Sequence, residues 1–212
     1  MSANQGIVAT IIDQKIENNC INITYPQVTG LDNLEVQEHI NLLIRKQVEF
    51  LIPRESCNIY AEIFGKYEVA VNKNDILSLN LQFYTIRKQA ANGLNQQKSI
   101  TVDLTTGKSY LLYELFRKNS NYRMVLDRMI RQQIEEQGLH LIKEFNGITD
   151  DQEYYLTENS LVIYFRELEY TIHAEGIPKF PIPYFRIRNL IDVDGPIGKL
   201  TQRSIARIHF HE

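Results

Sequence analysis

Two histidines close to the end of the chain have a spacing that could bind a metal. His209 and His211 are separated by one residue, and a strand would place both imidazoles on the same face. A metal site needs further ligands, and the sequence specifies no third one beside this pair. A solvated polar edge is therefore the favoured interpretation, and the sequence predicts neither a metal nor a cofactor.

Pairs of neighbouring carboxylates could act as a general acid and a general base. The pairs are Asp150–Asp151, Glu135–Glu136 and Asp192/Asp194. Each has a structural explanation in a loop, on the polar face of a helix end or in a Gly-Pro turn, and none is joined in sequence to a catalytic partner. Phosphate-binding loops and the GxSxG nucleophile motif are absent as well. The sequence therefore predicts no catalytic residue and favours a protein that is not an enzyme.

An unrecognised hydrolase stays open as an alternative. Its pocket would have to join residues that are distant in sequence, such as His173 and Glu175 with Asp150 or Asp151. An imidazole and a carboxylate can exchange protons with a substrate only when the fold brings them within hydrogen-bond reach. The alternative therefore depends on a concave pocket at these side chains.

The two cysteines, Cys20 and Cys57, lack the paired spacing of a zinc site or a CxxC redox motif. Two buried, reduced thiols are the favoured interpretation. A disulfide would need facing side chains and an oxidising compartment, and it stays open together with a single nucleophilic cysteine.

Length and composition describe a globular protein with ample apolar content. The 212 residues are 43% hydrophobic, and 23 basic and 26 acidic residues give a net charge of −3 without a block of like charge. We therefore expect no nucleic-acid partner. No apolar run approaches the roughly 20 residues of a spanning helix, so we expect no membrane insertion.

The N-terminus gives the only indication of location. The residues after Met1 lack the basic and apolar regions of a secretory signal. This predicts a cytoplasmic protein for the chain as given, and an extracytoplasmic one if a leader precedes it.

Hydrophobic patterns in the N-terminal half predict two hairpins around a helix. Pro26 is expected to end the extended region after the first hairpin, and Pro53 to end the helix. The elements are a hairpin over Gly6–Ile16 and Cys20–Tyr25, a helix over Asn33–Leu51, and a hairpin over Ile59–Val71 and Ile76–Ile86.

Shorter elements follow in the rest of the chain. Ser120 is expected to cap the second helix, and Gly138 to end it. The elements are a loop over Lys88–Gln97, a strand over Ser99–Leu104, a helical turn over Tyr110–Phe116, a helix to Gln137, a hairpin over Tyr154–Thr157 and Leu161–Phe165, a short helix over Tyr184–Ile191, and an edge strand over Ser204–Phe210.

These elements predict an α+β fold in which two main helices pack on one face of an antiparallel sheet. We expect lobes over residues 1–97 and 98–195 that share one core, and a tail over residues 196–212 that could add an edge strand.

Tyrosine is unusually frequent, with 12 Tyr and 9 Phe but no Trp. Tyrosine combines a rigid apolar ring with a polar tip, so a cluster of exposed tyrosines can form a recognition surface. The favoured alternative is that tyrosine at strand positions suits a half-buried sheet. The candidate surface consists of Tyr154, Tyr155, Tyr164, Tyr170 and Tyr184.

Several segments resemble known families of unknown function. The C-terminal half is similar to DUF3298 through YYLT at 154–157, SLVIYF at 160–165, GIP at 176–178 and FPIPY at 180–184, preceded by VDLTTGK at 102–108. ITYPQV at 23–28 with the following Gly30 and helix resembles the companion family DUF4163. Together the two resemblances cover nearly the whole chain.

The resemblance implies an α+β fold with helices on an antiparallel sheet. It also implies a noncatalytic role, because these bacterial domains accompany a lysozyme-sensing anti-sigma factor and a peptidoglycan deacetylase without supplying chemistry. The family commonly carries a Gly-Gly-Ala-His-Gly run between central strands, where this chain has QAANGLN at 89–95. The histidine is missing, and Asn92 and Gly93 are expected to supply the positive backbone angles of the turn.

The leading hypothesis is a noncatalytic binding or sensing module for a protein or a cell-wall ligand. The hydrolase described above is one alternative. A structural domain that oligomerises through an exposed strand edge is the other.

Overall fold

The computed structural model describes residues 6–205, and their side chains as far as residue 201. The larger of two sheets has five strands in the order β1-β2-β3-β4-β5. They are β1 (Thr10–Glu17), β2 (Ile21–Thr29), β3 (Tyr60–Lys73), β4 (Ile76–Arg87) and β5 (Leu94–Asp103). Pairing of β1 with β2 and of β3 with β4 is antiparallel, so both predicted hairpins are confirmed.

The smaller sheet has the antiparallel order β6-β7-β8, and its first two strands are the predicted C-terminal hairpin. Its strands are β6 (Tyr154–Leu156), β7 (Ser160–Tyr164) and β8 (Lys179–Pro183). The helices are α1 (Leu34–Leu51), α2 (Ser56–Ile59), α3 (Tyr122–Gln137), α4 (Tyr184–Ile187) and α5 (Pro196–Ile205), with 3₁₀ turns at Leu112–Leu115 and His173–Glu175. Within residues 6–205, no helix combines the length and apolarity that crossing a bilayer requires.

The first long helix, α1, connects β2 to β3 and leaves these two strands parallel over a short stretch. The side chain of Asn33 caps it by accepting hydrogen bonds from the N–H groups of Glu35 and Val36. One face of α1 packs on the larger sheet through Ile40, Ile44, Val48 and Leu51. The predicted helix is confirmed, and its crossover adds one parallel pair to a sheet predicted as antiparallel.

Pro26 lies inside β2, although the sequence predicted the end of the extended segment there. β2 pairs with β3 only over Ile21–Ile23, so no strand faces the imino nitrogen of Pro26 and no ladder bond is lost. On the same side, Asn41 of α1 bonds both main-chain groups of Val28, at 2.8 and 2.9 Å. A helix side chain therefore replaces a neighbouring strand at this edge.

The two long helices cover different sheets. α1 contacts β2 and β5, strands of the larger sheet contact β6, and α3 contacts β8. The order of layers is therefore α1, larger sheet, smaller sheet, α3. The α+β class is confirmed, but the strands form two sheets and the helices lie on opposite sides. The predicted lobe boundary after residue 97 falls inside β5, and the division into lobes stays a prediction.

Helix α3 ends as the sequence predicted but begins differently. Gly138 takes the left-handed conformation at its end, with φ of 63°. Asn121 is the N-cap residue and makes no side-chain capping bond, so Ser120 is not the cap. The helix buries Leu126 and Ile130.

In β4, alternation of Leu77, Leu79, Leu81 and Phe83 with polar residues predicts one inward face and one more polar face. The structure buries the polar face as well, at Ser78 and Asn80, against the smaller sheet. Ser78 is fully buried, and its hydroxyl accepts a hydrogen bond from the N–H of Leu156 and lies 2.8 Å from the hydroxyl of Thr101. Ser78 therefore serves as a buried hydrogen-bonding partner between the two sheets.

Asn80 lies on the same buried face, and neither of its amide atoms has a hydrogen-bond partner among residues 6–205. We expect Asn80→Val to raise the free energy of unfolding by about 1 kcal/mol, because it removes two buried polar groups without partners. Urea unfolding measures the change. Ser78→Ala is the matched control and should lower stability, since it leaves the N–H of Leu156 without its acceptor. A loss of stability in Asn80→Val would contradict this account.

Cys20 and Cys57 form a disulfide, which overturns the favoured prediction of two reduced thiols. Their Cα atoms lie 5.5 Å apart, within the usual range for a disulfide. The bond joins the residue before β2 to α2 and thereby encloses α1. The fold brings the two residues together because β2 and β3 start side by side, a contact that spacing alone does not reveal.

The predicted loop after β4 is shorter in the structure. β5 already begins at Leu94, so the predicted loop over Lys88–Gln97 shrinks to residues 88–93. The positive φ in this turn belongs to Gln89, at 64°, not to Asn92 or Gly93. Gly93 is needed for space, because a Cβ there would lie 2.3 Å from the ring of Tyr84.

The C-terminal segment begins with a helix. Residues 196–205 form α5, and the remainder of the predicted edge strand over Ser204–Phe210 lies outside the described residues. His209 and His211 lie outside them as well.

Candidate functional site

A cleft of about 180 Å³ opens at the outer edge of β5 and forms the candidate site, here called the β5 cleft. β5 is the last strand of the larger sheet, so one of its edges has no neighbouring strand. α1 and two chain segments wall the cleft. Its lining residues are Leu43 and Gln47 of α1, residues 98–101 of β5, residues 109–112 and residues 151–154.

The charged floor of the β5 cleft is an ion pair between Lys98 and Glu153. Their side chains are only 22% and 24% exposed, so the charges are half withdrawn from water. The ammonium of Lys98 also lies 5.4 Å from the ring centre of Phe50, at the end of α1. Glu153 further accepts a hydrogen bond of 3.0 Å from the hydroxyl of Tyr164. The pair is therefore held from both faces of the sheet.

Hydroxyl groups fix the position of β5 against the smaller sheet. The hydroxyl of Ser99 donates to the carbonyl of Tyr154 at 2.6 Å and lies 2.7 Å from the hydroxyl of Tyr164. Burial is the main cause that raises the pKa of the Tyr164 phenol well above its usual value, and the charge of Glu153 raises it further. Tyr164 therefore stays protonated and acts as a donor in this network.

Asp151 supplies an exposed negative charge at the rim of the β5 cleft. A hydrogen bond of 2.7 Å from the hydroxyl of Thr149 lowers the pKa of its carboxyl group, and a backbone N–H adds to the effect. No Lys, Arg or His nitrogen of residues 6–201 forms an ion pair with it within 4.0 Å. The carboxylate is therefore available to a ligand.

The tyrosines of the candidate recognition surface are mostly inside the protein. Tyr154, Tyr155, Tyr164 and Tyr184 are between 1% and 8% exposed, while Tyr170 is half-buried against Phe145 and Phe165. The hydroxyls of Tyr154 and Tyr184 donate to the carbonyls of Tyr110 and Thr157, both at 2.7 Å. These contacts hold the tyrosines inside the protein, and a recognition role for them stays a prediction.

The residues of the hydrolase alternative have separate partners. His173 contacts Glu167 at 2.6 Å, and Glu175 contacts His140 at 3.0 Å. Asp150 pairs with Arg123, whereas Asp151 is bonded by Thr149. The structure thus pairs His173 with a carboxylate that the sequence analysis had not selected. Among the described residues, no three His, Cys, Asp or Glu side chains group as a metal site requires.

Sequence reasoning missed Lys98, Glu153 and Gln47, the polar residues of the β5 cleft. Each stands in a segment that reads as an ordinary strand, turn or helix, and only the fold brings them together. Phe50 carried a weak signal, since it is a large aromatic residue on the polar side of α1 and is 72% exposed.

Comparisons with known proteins agree on one family. The sequence model of DUF3298, a family of proteins of unknown function, matches residues 113–185. A crystal structure of a DUF3298 family member from Bacteroides fragilis NCTC 9343 is similar, with a TM-score of 0.64 and 10% identity over 94% of this chain and 98% of that one. A DUF3298 family protein from Pseudomonas aeruginosa PAO1 gives a TM-score of 0.55 and 12% identity over 91% and 94%.

No curated protein matches the chain. At 10% and 12% identity, the two crystal structures show a shared fold and nothing about function. The likeness of the N-terminal half to DUF4163 stays a prediction. The DUF3298 model thus matches about a third of the chain, residues 113–185, and two solved structures of DUF3298 family proteins share the fold over almost all of it, which is consistent with the resemblance seen in the sequence.

Proposed function

We propose that this protein is a noncatalytic binding module and that its ligand, a protein or a cell-wall component, occupies the β5 cleft. The observation that carries this proposal is the half-buried Lys98–Glu153 pair at the floor of an open cleft. Polar groups that converge in a concavity fix the orientation of a ligand and give specificity.

The charges of the β5 cleft are suited to holding a ligand. Lys98 and Glu153 form an ion pair with each other at the floor of the cleft. Tyr164 stays protonated because its pKa is raised, and Ser99 has its hydroxyl bonded to the carbonyl of Tyr154. Around them, apolar side chains of Leu43 and residues 111–112 provide contact area.

Filling the β5 cleft should abolish binding without unfolding the protein. Gln47 lines the cleft on α1, so Gln47→Trp is expected to lower retention on the ligand at least tenfold. The measurement is retention of the purified chain on insoluble cell-wall material and on immobilised cell proteins. Glu49→Trp, an exposed position on the opposite face of the same helix, is the matched control. Equal retention of both variants and the original chain would contradict the proposal.

For oligomerisation through a strand edge, β1 is the other outer strand of the larger sheet. Ile12 is 41% exposed there, but Asp13, Lys15 and Glu17 place charges along the same edge. Charged side chains are a common means of preventing pairing between edges. Light scattering should accordingly give a monomer of 24.8 kDa, and a dimer would favour the structural role.

A further inference from the structure

We infer that the β5 cleft receives an extended peptide segment, which pairs with the main chain of Ser99 and directs a basic side chain to Asp151. The inference rests on the proposed function, because it names the ligand class of the same cleft. It adds a partner chemistry that can be tested separately.

The main-chain groups of odd-numbered β5 residues point away from β4. The N–H of Asn95 donates to the carboxylate of Glu167, and the N–H of Asp103 donates to the carbonyl of Lys108 at 2.9 Å. Between them, the carbonyl of Thr101 accepts from the N–H of Tyr110 at 3.0 Å. Both ends of the free edge are therefore covered by other parts of the chain.

The middle of this edge is uncovered at Ser99. Neither its N–H nor its carbonyl has a main-chain partner on the side away from β4 among residues 6–205, and Ser99 lines the β5 cleft. In an antiparallel pair, one residue of an extended peptide could donate its N–H to the carbonyl of Ser99 and accept from the N–H of Ser99. Addition of a strand to a free sheet edge is a recurring mode of peptide recognition.

The dimensions of the cleft limit how much of the peptide enters it. At about 180 Å³ the cleft is smaller than the roughly 300–1,000 Å³ of typical ligand pockets, so we expect one side chain with its peptide group to enter it. Residues 109–112 and 151–154 close the edge on either side of this space. The remainder of the segment would run over the surface, where Leu111 is 53% and Phe50 is 72% exposed.

The charge of the cleft selects a basic side chain. Lys98 and Glu153 form an ion pair with each other, whereas the carboxylate of Asp151 at the rim makes no ion pair within 4.0 Å among residues 6–201 and feels only the more distant charges of Arg166 and Lys98. An acidic side chain would be repelled by Asp151 and could not displace Glu153 from Lys98 without exposing a half-buried charge. Lys or Arg at the residue next to the Ser99 pairing is therefore the complementary choice.

A phage-displayed library of random octapeptides provides the test. Phage are selected on the original chain and counter-selected on Gln47→Trp, which removes binders to other surfaces. We expect enriched peptides to contain Lys or Arg between β-branched residues. Asp151→Lys should then reduce the affinity of a selected peptide at least tenfold, and replacing its basic residue by Glu should restore binding to that variant.

Main-chain pairing is tested by hydrogen exchange and by N-methylation of the selected peptide. Binding should slow exchange of the Ser99 amide at least tenfold, and methylation of alternate peptide nitrogens should abolish binding in one register only. The inference would be overturned if the selected peptides lacked a basic residue. It would also be overturned if peptide binding left the hydrogen-exchange rate of the Ser99 amide unchanged, or if N-methylated peptides bound as well as unmethylated ones.

Other outcomes separate the inference from the proposed function. Retention of a cell-wall fragment that is lost in Gln47→Trp, without any cleft-dependent peptide, would overturn the peptide ligand and leave the binding module standing. If exchange of the Ser99 amide slows as the protein concentration rises, without any added peptide, a second copy of the chain is the occupant. That result would also overturn the inference.

Discussion

The double replacement Cys20→Ser, Cys57→Ser is expected to lower the free energy of unfolding by about 4 kcal/mol. The disulfide links residues that are 37 positions apart, and the closed loop restricts the unfolded chain more than the folded one. The loop contains the whole of α1, which provides the apolar cover of the larger sheet. Losing the bond therefore increases the conformational entropy of the unfolded chain over the whole segment that contains α1.

Denaturant unfolding in oxidising and reducing buffer measures this contribution. Reduction of the original chain should produce about the same loss as the double replacement, and reductant should have no effect on the double variant. The latter serves as the matched control for indirect effects of the reagent. A loss below about 1 kcal/mol in both experiments would show that the bond adds little to stability.

The elements with a strong hydrophobic period were predictable from the sequence. The apolar stripe of α1 from Ile40 to Leu51 and the alternation of β4 from Leu77 to Phe83 predicted their type and approximate bounds. Both patterns arise because one face of the element packs into the core, so they can be detected from the local sequence alone. The stop of α3 at Gly138 was predictable for a local reason as well, because the left-handed conformation favours glycine.

Contacts between distant elements could not be predicted in the same way. Ser78 and Asn80 read as solvent-facing because they are polar, and burial under β6 depends on a hairpin more than 70 residues further along the chain. The Cys20–Cys57 bond similarly depends on the parallel pairing of β2 and β3. Neither contact leaves a periodic signal in the sequence.

The candidate site illustrates the same limit. The tyrosine-rich C-terminal segment resembles DUF3298 and lies in the part of the chain that the DUF3298 model matches. Its rings pack inward: Tyr154 and Tyr184 join the core cluster that includes Leu126 and Ile130 of α3, and Tyr155 and Tyr164 pack together against Ala70 of β3. Lys98 and Glu153 have ordinary neighbours in sequence and form a site only across the edge of β5. Motifs were therefore sufficient to detect a resemblance to DUF3298, whereas the cleft could be found only from the fold.

Asp103→Ala is expected to lower the free energy of unfolding by about 3 kcal/mol. The Asp103 side chain is 2% exposed, and its carboxylate accepts hydrogen bonds from the N–H groups of Thr105 and Thr106, at 2.8 and 3.0 Å, and from the ammonium of Lys199. It thereby fixes the turn after β5 and attaches α5 to the larger sheet. Alanine would leave these three donors without an acceptor, which is costly for the groups that are buried.

Urea unfolding measures the loss, and two variants separate its causes. Asp103→Asn retains an oxygen for the turn but loses the charge, so its effect should be smaller. Asp32→Ala, at an exposed position before α1, is the control and should change stability by less than about 0.5 kcal/mol. If Asp103→Ala left the free energy of unfolding unchanged, the role of Asp103 in anchoring the turn and α5 would be contradicted.

The pH dependence of stability tests the same contact through the charge of Asp103. Burial alone would raise the pKa of this carboxyl, but the hydrogen bonds from Lys199, Thr105 and Thr106 outweigh it and hold the pKa below its ordinary value. For a pKa that is lower in the folded state, the contribution to stability is complete above about pH 4 and is lost as the pH falls further. Asp103→Asn lacks this titration, so the difference in unfolding free energy between the original chain and Asp103→Asn should narrow below pH 4. A difference that stays constant down to pH 2 would show that the carboxylate charge does not stabilise the attachment of α5.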